Sequence, residues 1–390
     1  MPFSALAAQL AALDAQGLIR QRRVLESPQS AHVVVNGRDV VAFCSNDYLG
    51  IAGDPRLTAA ACEGAGRYGV GAGASHLILG HGAAHHALED ALARFVRLPR
   101  VLLFSTGYMA NIGIVTALTG HNDALFADKL NHASLNDAAL LSRADFKRYA
   151  HGDLRALGRL LAASRARRKL VISDAVFSMD GDVAPVPELL RLCEQYDAWL
   201  LLDDAHGFGV LGASGSGVLQ HFGVASARIV YMATLGKAAG VFGAFAAGQP
   251  EVIETLVQRA RSYIYTTATP PMLAHALLAS LNIIAAEDYR REHLARLITG
   301  LKRGLAGLRW RLLPSDTAIQ PLVIGSSDEA MRVSAALAAR GVLVPPIRPP
   351  TVAQGTARLR ISLSAAHTPE DVAQLVEALQ GIEDGFACRD

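Results

Sequence analysis

The fold is decided by residues 198–240, which read AWLLLDDAHGFGVLGASGSGVLQHFGVASARIVYMATLGKAAG. An apolar run of strand length, residues 198–202, ends in the carboxylates Asp203 and Asp204, and His206 follows directly. This pattern is typical of a buried parallel strand that delivers polar groups at its carboxyl end, where open α/β sheets place their ligands.

A second strand-like run in this stretch, residues 229–233, leads to Thr234 and then to a single lysine, Lys237. Glycine and alanine surround the lysine, so burial can remove water from its ammonium group and activate the amine. An acid, an imidazole and an amine that meet at one sheet edge are the groups that carbonyl chemistry needs.

The preceding part of the chain alternates strands and helices, with strands predicted at residues 101–104, 124–127, 146–149 and 169–173. This alternation predicts an α/β fold with a mostly parallel central sheet. After residue 243 the pattern changes, and the last hundred residues predict a smaller α+β domain. We expect an N-terminal helix and hairpin segment at 1–45, a large domain at 46–286 and a C-terminal domain at 287–390.

The N-terminal segment contains two structural signals. Leu6, Leu10 and Leu13 recur at helical spacing, which predicts an amphipathic helix docked on the body of the protein. Asn36-Gly37 separates two short β-rich runs and predicts a hairpin.

Composition excludes several classes of protein. Of 390 residues, 51% are hydrophobic and 18% charged, which indicates a globular chain, and a net charge of +2 gives no reason to expect nucleic-acid binding. No apolar run reaches the length of a membrane helix and no targeting segment is apparent, so the expected location is the cytoplasm. The four cysteines, at 44, 62, 193 and 388, have no metal-type spacing.

Other candidate site residues lie in polar segments that follow strands. Gly107 begins a helix after Ser105 and Thr106, an arrangement that suits a phosphate or simply caps the helix. His132 and Ser178 follow later strands in the same way.

Two further groups of residues are ambiguous. Arg20, with Arg22 and Arg23, follows the N-terminal helix and either complements the helix dipole or clamps an anionic substrate. His85 and His86 begin a helix without a second histidine at i+4, so we expect no metal site there.

Two other chemistries fit the residues less well. A serine hydrolase built on Ser178, Asp203 and His206 lacks the GxSxG elbow. A nucleotide-binding protein lacks the phosphate loop, and Gly71-x-Gly73 has neither a third glycine nor a clear strand before it. A pyridoxal phosphate site uses every part, because this cofactor needs an amine, a carboxylate at its ring nitrogen, a phosphate cradle and a ring partner.

Seven segments together resemble one family. They are SNDYLG, FSTGYMAN, NHASL, VFSMDGD, LDDAHGFGVLG, TLGKAAG and RPPTVAQGTARLR, and they span nearly the whole chain in matching order. The chain is similar to the α-oxoamine synthases, which are fold-type I pyridoxal phosphate enzymes with an aspartate aminotransferase-like fold.

The resemblance implies a role for each matching residue. It implies that Lys237 forms the Schiff base, Asp203 pairs with the pyridinium, His206 contacts the phenolic oxygen and His132 stacks on the ring. The remaining implied cofactor-binding residues are Gly107, Tyr108, Ser178, Thr234, Thr266 and Thr267, and the implied substrate-binding residues are Arg20, Asn46, His132, Arg348 and Thr351.

The resemblance also implies partners and a reaction. Thr266 and Thr267 match positions that reach the neighbouring subunit's phosphate, so a homodimer with shared sites is expected. The segments LIRQRR and RPPTVAQGTARLR favour the branch of the family in biotin synthesis, which condenses L-alanine with a pimeloyl thioester of coenzyme A or acyl carrier protein. The alternative is a branch that makes 5-aminolevulinate or 2-amino-3-oxobutyrate, or that joins serine to a palmitoyl thioester.

Overall fold

A computed structural model of the chain describes residues 2–16 and 18–387, so Cys388 lies outside the described residues. The helices are α1 Ser4–Ala15, α2 Pro55–Tyr68, α3 Ala83–Val96, α4 Gly107–Leu118, α5 Ala133–Ser142, α6 Leu154–Ala163, α7 Val186–Gln195, α8 Val218–Phe222, α9 Pro250–Arg259, α10 Arg261–Ile264, α11 Pro271–Ala286, α12 Asp288–Leu305, α13 Ser327–Ala339 and α14 Pro369–Ala387. A π-helical turn, His76–Gly80, precedes α3.

The strands are β1 His32–Val35, β2 Arg38–Ala42, β3 Arg100–Phe104, β4 Ala124–Asp128, β5 Asp145–Tyr149, β6 Lys169–Asp174, β7 Trp199–Asp203, β8 Ile229–Thr234, β9 Ala244–Gly248, β10 Arg311–Leu312, β11 Ile319–Gly325, β12 Val342–Leu343, β13 Pro346–Ile347 and β14 Ala357–Ser362.

Seven strands form the central sheet, in the order β3-β9-β8-β7-β6-β4-β5. Strand β9 pairs antiparallel with both neighbours, and the other strands run parallel. The prediction of a mostly parallel α/β sheet is confirmed. Strand β9 was not predicted, because its AFAAG sequence is short, rich in alanine and poor in the β-branched residues that mark a strand.

The two faces of the central sheet bury alternate residues of each strand, as the period of two requires. In β7, Leu200 and Leu202 pack into one core cluster, whereas Leu201 packs into the other. Asp203 therefore follows Leu201 to the face that α4 and α5 cover. The register aligns Asp203 with Asp174 on one side and with Met232 on the other, so the strand ends meet at one edge.

Two smaller sheets flank this core. One joins the predicted hairpin to β12 in the order β1-β2-β12, and the other has the order β10-β11-β14-β13. The hairpin turn is confirmed, because Asn36 and Gly37 both have positive φ angles, of 50° and 72°, as this type of two-residue turn needs. The predicted domain limits at residues 45 and 286 stay a prediction.

The docked N-terminal helix is the expectation that the structure contradicts. Residues 4–15 do form α1, but none of them is buried, and Leu6, Leu10 and Leu13 are 53%, 57% and 40% exposed. The physical reason is the helix composition, SALAAQLAALDA, which places alanine on every side and leaves no distinct apolar stripe to dock. In the described part of the chain, no helix is long and apolar enough to cross a membrane.

Candidate active site

A cavity of about 230 Å³ lies at the carboxyl edge of the central sheet. It is lined by Gly107, Tyr108, His132, Ser134, Asp174, Ser178, Asp203, Ala205, His206, Met232, Thr234 and Lys237. Eight of the predicted site residues are in this lining, so the structure brings together side chains that are up to 130 positions apart in sequence.

Lys237 lies in the loop after β8, and part of its side chain is accessible from the cavity. Its Nζ is 2.9 Å from Nε2 of His206. Burial lowers the pKa of Lys237 to about 8, and the positive charge of Arg360 acts in the same direction. Near neutral pH a useful fraction of this amine is therefore uncharged and nucleophilic.

His206 connects the lysine to a chain of polar groups. Its Nδ1 is 2.6 Å from the Tyr48 hydroxyl, which donates a 3.0 Å hydrogen bond to Oδ1 of Asn46. Burial, and then the charge of Lys237, hold the pKa of His206 well below its usual range, so the ring is neutral. Lys237 then donates to Nε2, and the proton on Nδ1 is donated to Tyr48.

Asp203 is held from two sides. Its Oδ2 accepts a 2.7 Å hydrogen bond from Nδ2 of Asn111, and its Oδ1 accepts one of 3.0 Å from the Ala205 backbone N–H. Its neighbour Asp174 is fully inside the protein, where burial and then the Asp203 charge raise the pKa of Asp174 well above its usual range. The pair therefore combines a fixed carboxylate with a neighbour that resists ionisation.

His132 caps the start of α5, and its ring is fixed in place. Its Nδ1 accepts a 3.2 Å hydrogen bond from the Ser134 backbone N–H and lies 2.7 Å from the Ser134 hydroxyl. The same hydroxyl accepts a 2.9 Å hydrogen bond from Asn111, the residue that holds Asp203. Burial lowers the pKa of His132, which keeps this ring uncharged as well.

A helix start in the cavity lining suits an anion. Helix α4 begins at Gly107, and Thr106 caps it by accepting a 3.2 Å hydrogen bond from the Met109 backbone N–H. The helix N-terminus carries a partial positive charge and unpaired N–H groups. Thr234 is also in the lining, and its hydroxyl donates a 3.0 Å hydrogen bond to the Gly243 carbonyl.

These groups fit pyridoxal phosphate, judged by the chemistry of the donors. An amine with a lowered pKa, a fixed carboxylate, a neutral imidazole with an immobilised ring and a helix N-terminus all line one small cavity. Each is a group that this cofactor requires.

A second, larger cleft of about 560 Å³ shares Lys237 with the first cavity. Asn46, a predicted substrate residue, lies in its lining, as do Arg23 and Cys44. Apolar residues of the N-terminal hairpin segment, including Leu25, form much of the remaining wall. The cleft can therefore hold a long, partly apolar molecule next to the amine.

Five predicted residues lie outside both linings, as far as the described residues define them: Arg20, Thr266, Thr267, Arg348 and Thr351. Arg20 and Thr351 are exposed, and the Thr351 backbone N–H donates a 3.0 Å hydrogen bond to the Arg348 carbonyl. The roles of these five residues stay predictions.

Asn111, Ser134 and Arg360 were not predicted to be parts of the site. Arg360 lies on β14, donates from Nε to the Ser178 carbonyl at 2.5 Å and lies 3.4 Å from Oδ1 of Asn46. Asn111 and Ser134 lie in the segments FSTGYMAN and NHASL, which carry part of the family resemblance. Their individual roles depend on which helix face meets Asp203, and sequence does not show that.

Comparisons with known proteins agree with this site. The family model for aminotransferase class I and II matches residues 38–379. The 8-amino-7-oxononanoate synthase of Nitrosospira multiformis is 68% identical over 94% of this chain and 93% of its own length, and that of Nitrosomonas europaea is 64% identical over 94% and 96%.

A solved structure of a serine palmitoyltransferase with a PLP internal aldimine is also similar, with a TM-score of 0.92 and 29% identity over 99% of this chain and 98% of that one. Because the family model and these relatives cover nearly the whole chain, the protein belongs to the aminotransferase class I and II family and, within it, to the 8-amino-7-oxononanoate synthases.

Proposed function

We propose that the protein condenses L-alanine with a pimeloyl thioester and releases CO2, to give 8-amino-7-oxononanoate and a free thiol carrier. At the coarser level it is an α-oxoamine synthase of biotin biosynthesis, as its relatives are. The observation that carries the proposal is the Lys237 amine, which faces both the 230 Å³ cavity and the 560 Å³ cleft.

Pyridoxal phosphate is the cofactor of this enzyme, and when bound it supplies an electron sink for the negative charge that forms at the amino-acid Cα. Lys237 would hold it through Nζ, and the start of α4 would hold its phosphate. Asp203 would keep the ring nitrogen protonated, because Asn111 and Ala205 fix its carboxylate in position. His132 would lie against the ring.

Lys237 is also the proposed base. With L-alanine bound beside it, Nζ of Lys237 would remove the Cα proton, and a pKa of about 8 suits this task near neutral pH. His206 steadies the amine through Nε2 and is itself held by Tyr48. These contacts orient the amine before the proton is moved.

Two arginines are proposed to hold the anionic groups of the substrates. Arg348, with Thr351, is proposed for the L-alanine carboxylate, and Arg20 for the acyl donor. Arg23 supports an acyl donor in the larger cleft, since it lies in the lining near Lys237. The cleft volume of about 560 Å³ and its apolar wall suit a pimeloyl chain better than an acetyl group.

A homodimer with shared sites is also proposed. Thr267 is exposed and Thr266 partly exposed on the segment between α10 and α11, which leaves them accessible to a second subunit. We propose that they bind the phosphate in the partner's cavity.

The substrate choice is tested by product mass and CO2 release. The purified protein is given L-alanine, glycine or serine with pimeloyl, acetyl, succinyl or palmitoyl thioesters. The expected result is that alanine with a pimeloyl thioester has the highest kcat/KM. A preference for glycine with a short acyl group would refute the biotin-pathway assignment and favour a sister branch.

The roles of the site residues are tested with two variants. Lys237→Ala should lose the visible absorption band, near ~420 nm, of the lysine-bound cofactor. Asp203→Asn should keep the fold and bind cofactor but lose most turnover, because an uncharged ring nitrogen is a poor electron sink. Lys129→Ala, which changes an exposed lysine, is the control and should leave the band and turnover unchanged.

A further inference from the structure

A group of histidines lies around the start of α3, outside the active site. His76 is in the π-helical turn, His81 follows it, and His85 and His86 are in the first turn of α3. One turn further along, Glu89 shares a face with His86, because residues at i and i+3 are neighbours on a helix. These side chains differ in whether they still have an atom available for a ligand.

His85 has none available. Its Nδ1 accepts a 3.1 Å hydrogen bond from the Gly82 backbone N–H, and its Nε2 donates to the Thr269 carbonyl at 2.8 Å. It is fully buried and serves as a structural cap that ties α3 to the segment before α11.

Glu89 and His81, unlike His85, each have one polar atom in a hydrogen-bonding contact and a second one that remains available for a ligand. The Oε1 atom of Glu89 accepts a 3.0 Å hydrogen bond from the Leu103 backbone N–H, which leaves Oε2 directed at Nε2 of His81, 3.9 Å away. The other nitrogen of His81, Nδ1, faces Nδ1 of His76 at 3.3 Å. Such contacts on the remote atom are what orients metal ligands in proteins.

His86 completes the set. One ligand atom from each of His81, His86 and Glu89 lies within 4.8 Å of the other two. In a tetrahedral zinc site neighbouring ligand atoms are about 3.3 Å apart, so small side-chain rotations would close these three around one ion. Asp90 adds a carboxylate oxygen 4.0 Å from Nε2 of His86 and is available as a fourth ligand.

We propose that His81, His86 and Glu89 form a binding site for one divalent transition-metal ion of the zinc class. Two imidazoles and one carboxylate are a ligand set that suits Zn²⁺, Co²⁺ and Ni²⁺ rather than Ca²⁺ or Mg²⁺. The site is structural, since the ion ties the π-helical turn to α3. Through the Glu89–Leu103 contact it also braces β3, the strand that leads to the Gly107 helix start.

The site is separate from the cofactor cavity, whose lining includes none of the three ligands. His76, which contacts His81, has its ring stacked on Tyr263 at 5.0 Å. Tyr263 in turn packs edge-on against Phe104. Metal binding should therefore change stability more than it changes turnover.

The test uses full-length, tag-free protein with its cofactor bound, titrated with Co²⁺ alone while visible absorption is recorded. The expected result is one saturable equivalent whose absorption is abolished by excess Zn²⁺. His86→Gln should weaken Co²⁺ binding by at least ~10-fold. Because His86 is exposed, this variant should fold normally.

The matched control is His121→Gln, which removes an exposed histidine on the turn between α4 and β4 and should bind Co²⁺ as the wild type does. Zn²⁺ should also raise the melting temperature of the wild type and of His121→Gln, but not that of His86→Gln. Equal Co²⁺ binding by the wild type and His86→Gln, or weak binding that never saturates, would overturn the proposal.

Discussion

Replacing Lys237 with methionine should stabilise the cofactor-free protein near neutral pH. Burial lowers the pKa of Lys237 from its usual 10.5 to about 8. Below about pH 8 the folded protein therefore has to hold a charged amine where the neutral form is preferred, whereas the unfolded chain exposes that amine to water. Methionine has a similar length and no charge, so it removes this cost.

The size of the effect follows from the two pKa values. A fall from 10.5 to about 8 corresponds to about 3 kcal/mol of destabilisation at neutral pH. This is an upper limit because water enters the cavity. The variant also loses the 2.9 Å contact with Nε2 of His206, which costs about 1 kcal/mol. The net gain should be about 2 kcal/mol, or about 2–3 °C in melting temperature for a chain of this length.

The sign of the pH dependence gives the sharper test. The unfolded chain binds a proton at Lys237 that the folded chain lacks between about pH 8 and 10.5, so wild-type stability rises with pH in that window. The advantage of Lys237→Met should therefore be largest below about pH 8 and should disappear near 10.5. The melting temperatures of both proteins, with cofactor removed and at equal concentration, are measured across this range.

Lys129→Met is the control for the change of side chain, because Lys129 is exposed. It should show no such pH-dependent advantage. If Lys237→Met melts at or below the wild-type temperature near neutral pH, or if its advantage is the same at every pH, the buried amine does not carry the predicted cost.

Two other predictions concern stability away from the cavity. His151 lies between Asp128 and Asp182 at 3.1 and 3.0 Å, and hydrogen bonds to these carboxylates raise its pKa to about 10. The stability that His151 contributes is therefore complete below its usual pKa of 6.5 and is lost as the pH rises towards 10. His151→Gln should lower the melting temperature at acidic pH but not at strongly alkaline pH. Gly50 has φ +63°, and an added Cβ would lie 2.6 Å from another side chain, so Gly50→Ala should lower the free energy of unfolding by about 2 kcal/mol or more. Gly120→Ala is the control, because a Cβ at Gly120 would meet nothing within 4 Å, and it should change the free energy of unfolding by less than about 0.5 kcal/mol. Both values are measured by urea unfolding.

The central sheet could be predicted because its strands are buried on both faces. Five of its strands read as short apolar runs that end in polar residues, whereas β5, DFKRY, is largely polar and partly exposed. Strands β7 and β8 were placed within a residue of their observed limits. Strand β9 could not be found this way, since it owes its place to small residues that fit between β3 and β8. Tertiary packing rather than intrinsic preference makes it a strand.

The N-terminal helix was predicted, but its surroundings were not. Its leucine spacing correctly predicted a helix, but helical periodicity does not say which surface, if any, receives the helix. The exposed Leu6, Leu10 and Leu13 have no counterpart in the described residues of the same chain. The local sequence pattern was enough to predict the helix, but the surroundings of the helix could be seen only in the whole structure.

The residues of the candidate site also fall into those that could be predicted from the local sequence and those that could not. Residues at strand ends, such as Asp203 and Lys237, were found because a strand aims whatever follows it at one edge of the sheet. Residues that support them from helices, such as Asn111 and Ser134, were missed because their role depends on which helix face lies over the sheet edge. The proposed zinc-class site was not expected from sequence because only the helix was searched for a second ligand, whereas one of the proposed ligands, His81, precedes the helix.

Arg360 shows that the pKa and orientation of the Lys237 amine depend on residues outside its own loop. Arg360 belongs to the four-stranded sheet, yet it lies 3.4 Å from Asn46 and its charge helps to lower the pKa of Lys237. Asn46 accepts from Tyr48, which contacts His206, which contacts Lys237. A change in how the four-stranded sheet packs on the central sheet would therefore alter both the charge near the amine and the groups that orient it. The reactivity of Lys237 thus depends on both sheets being in place.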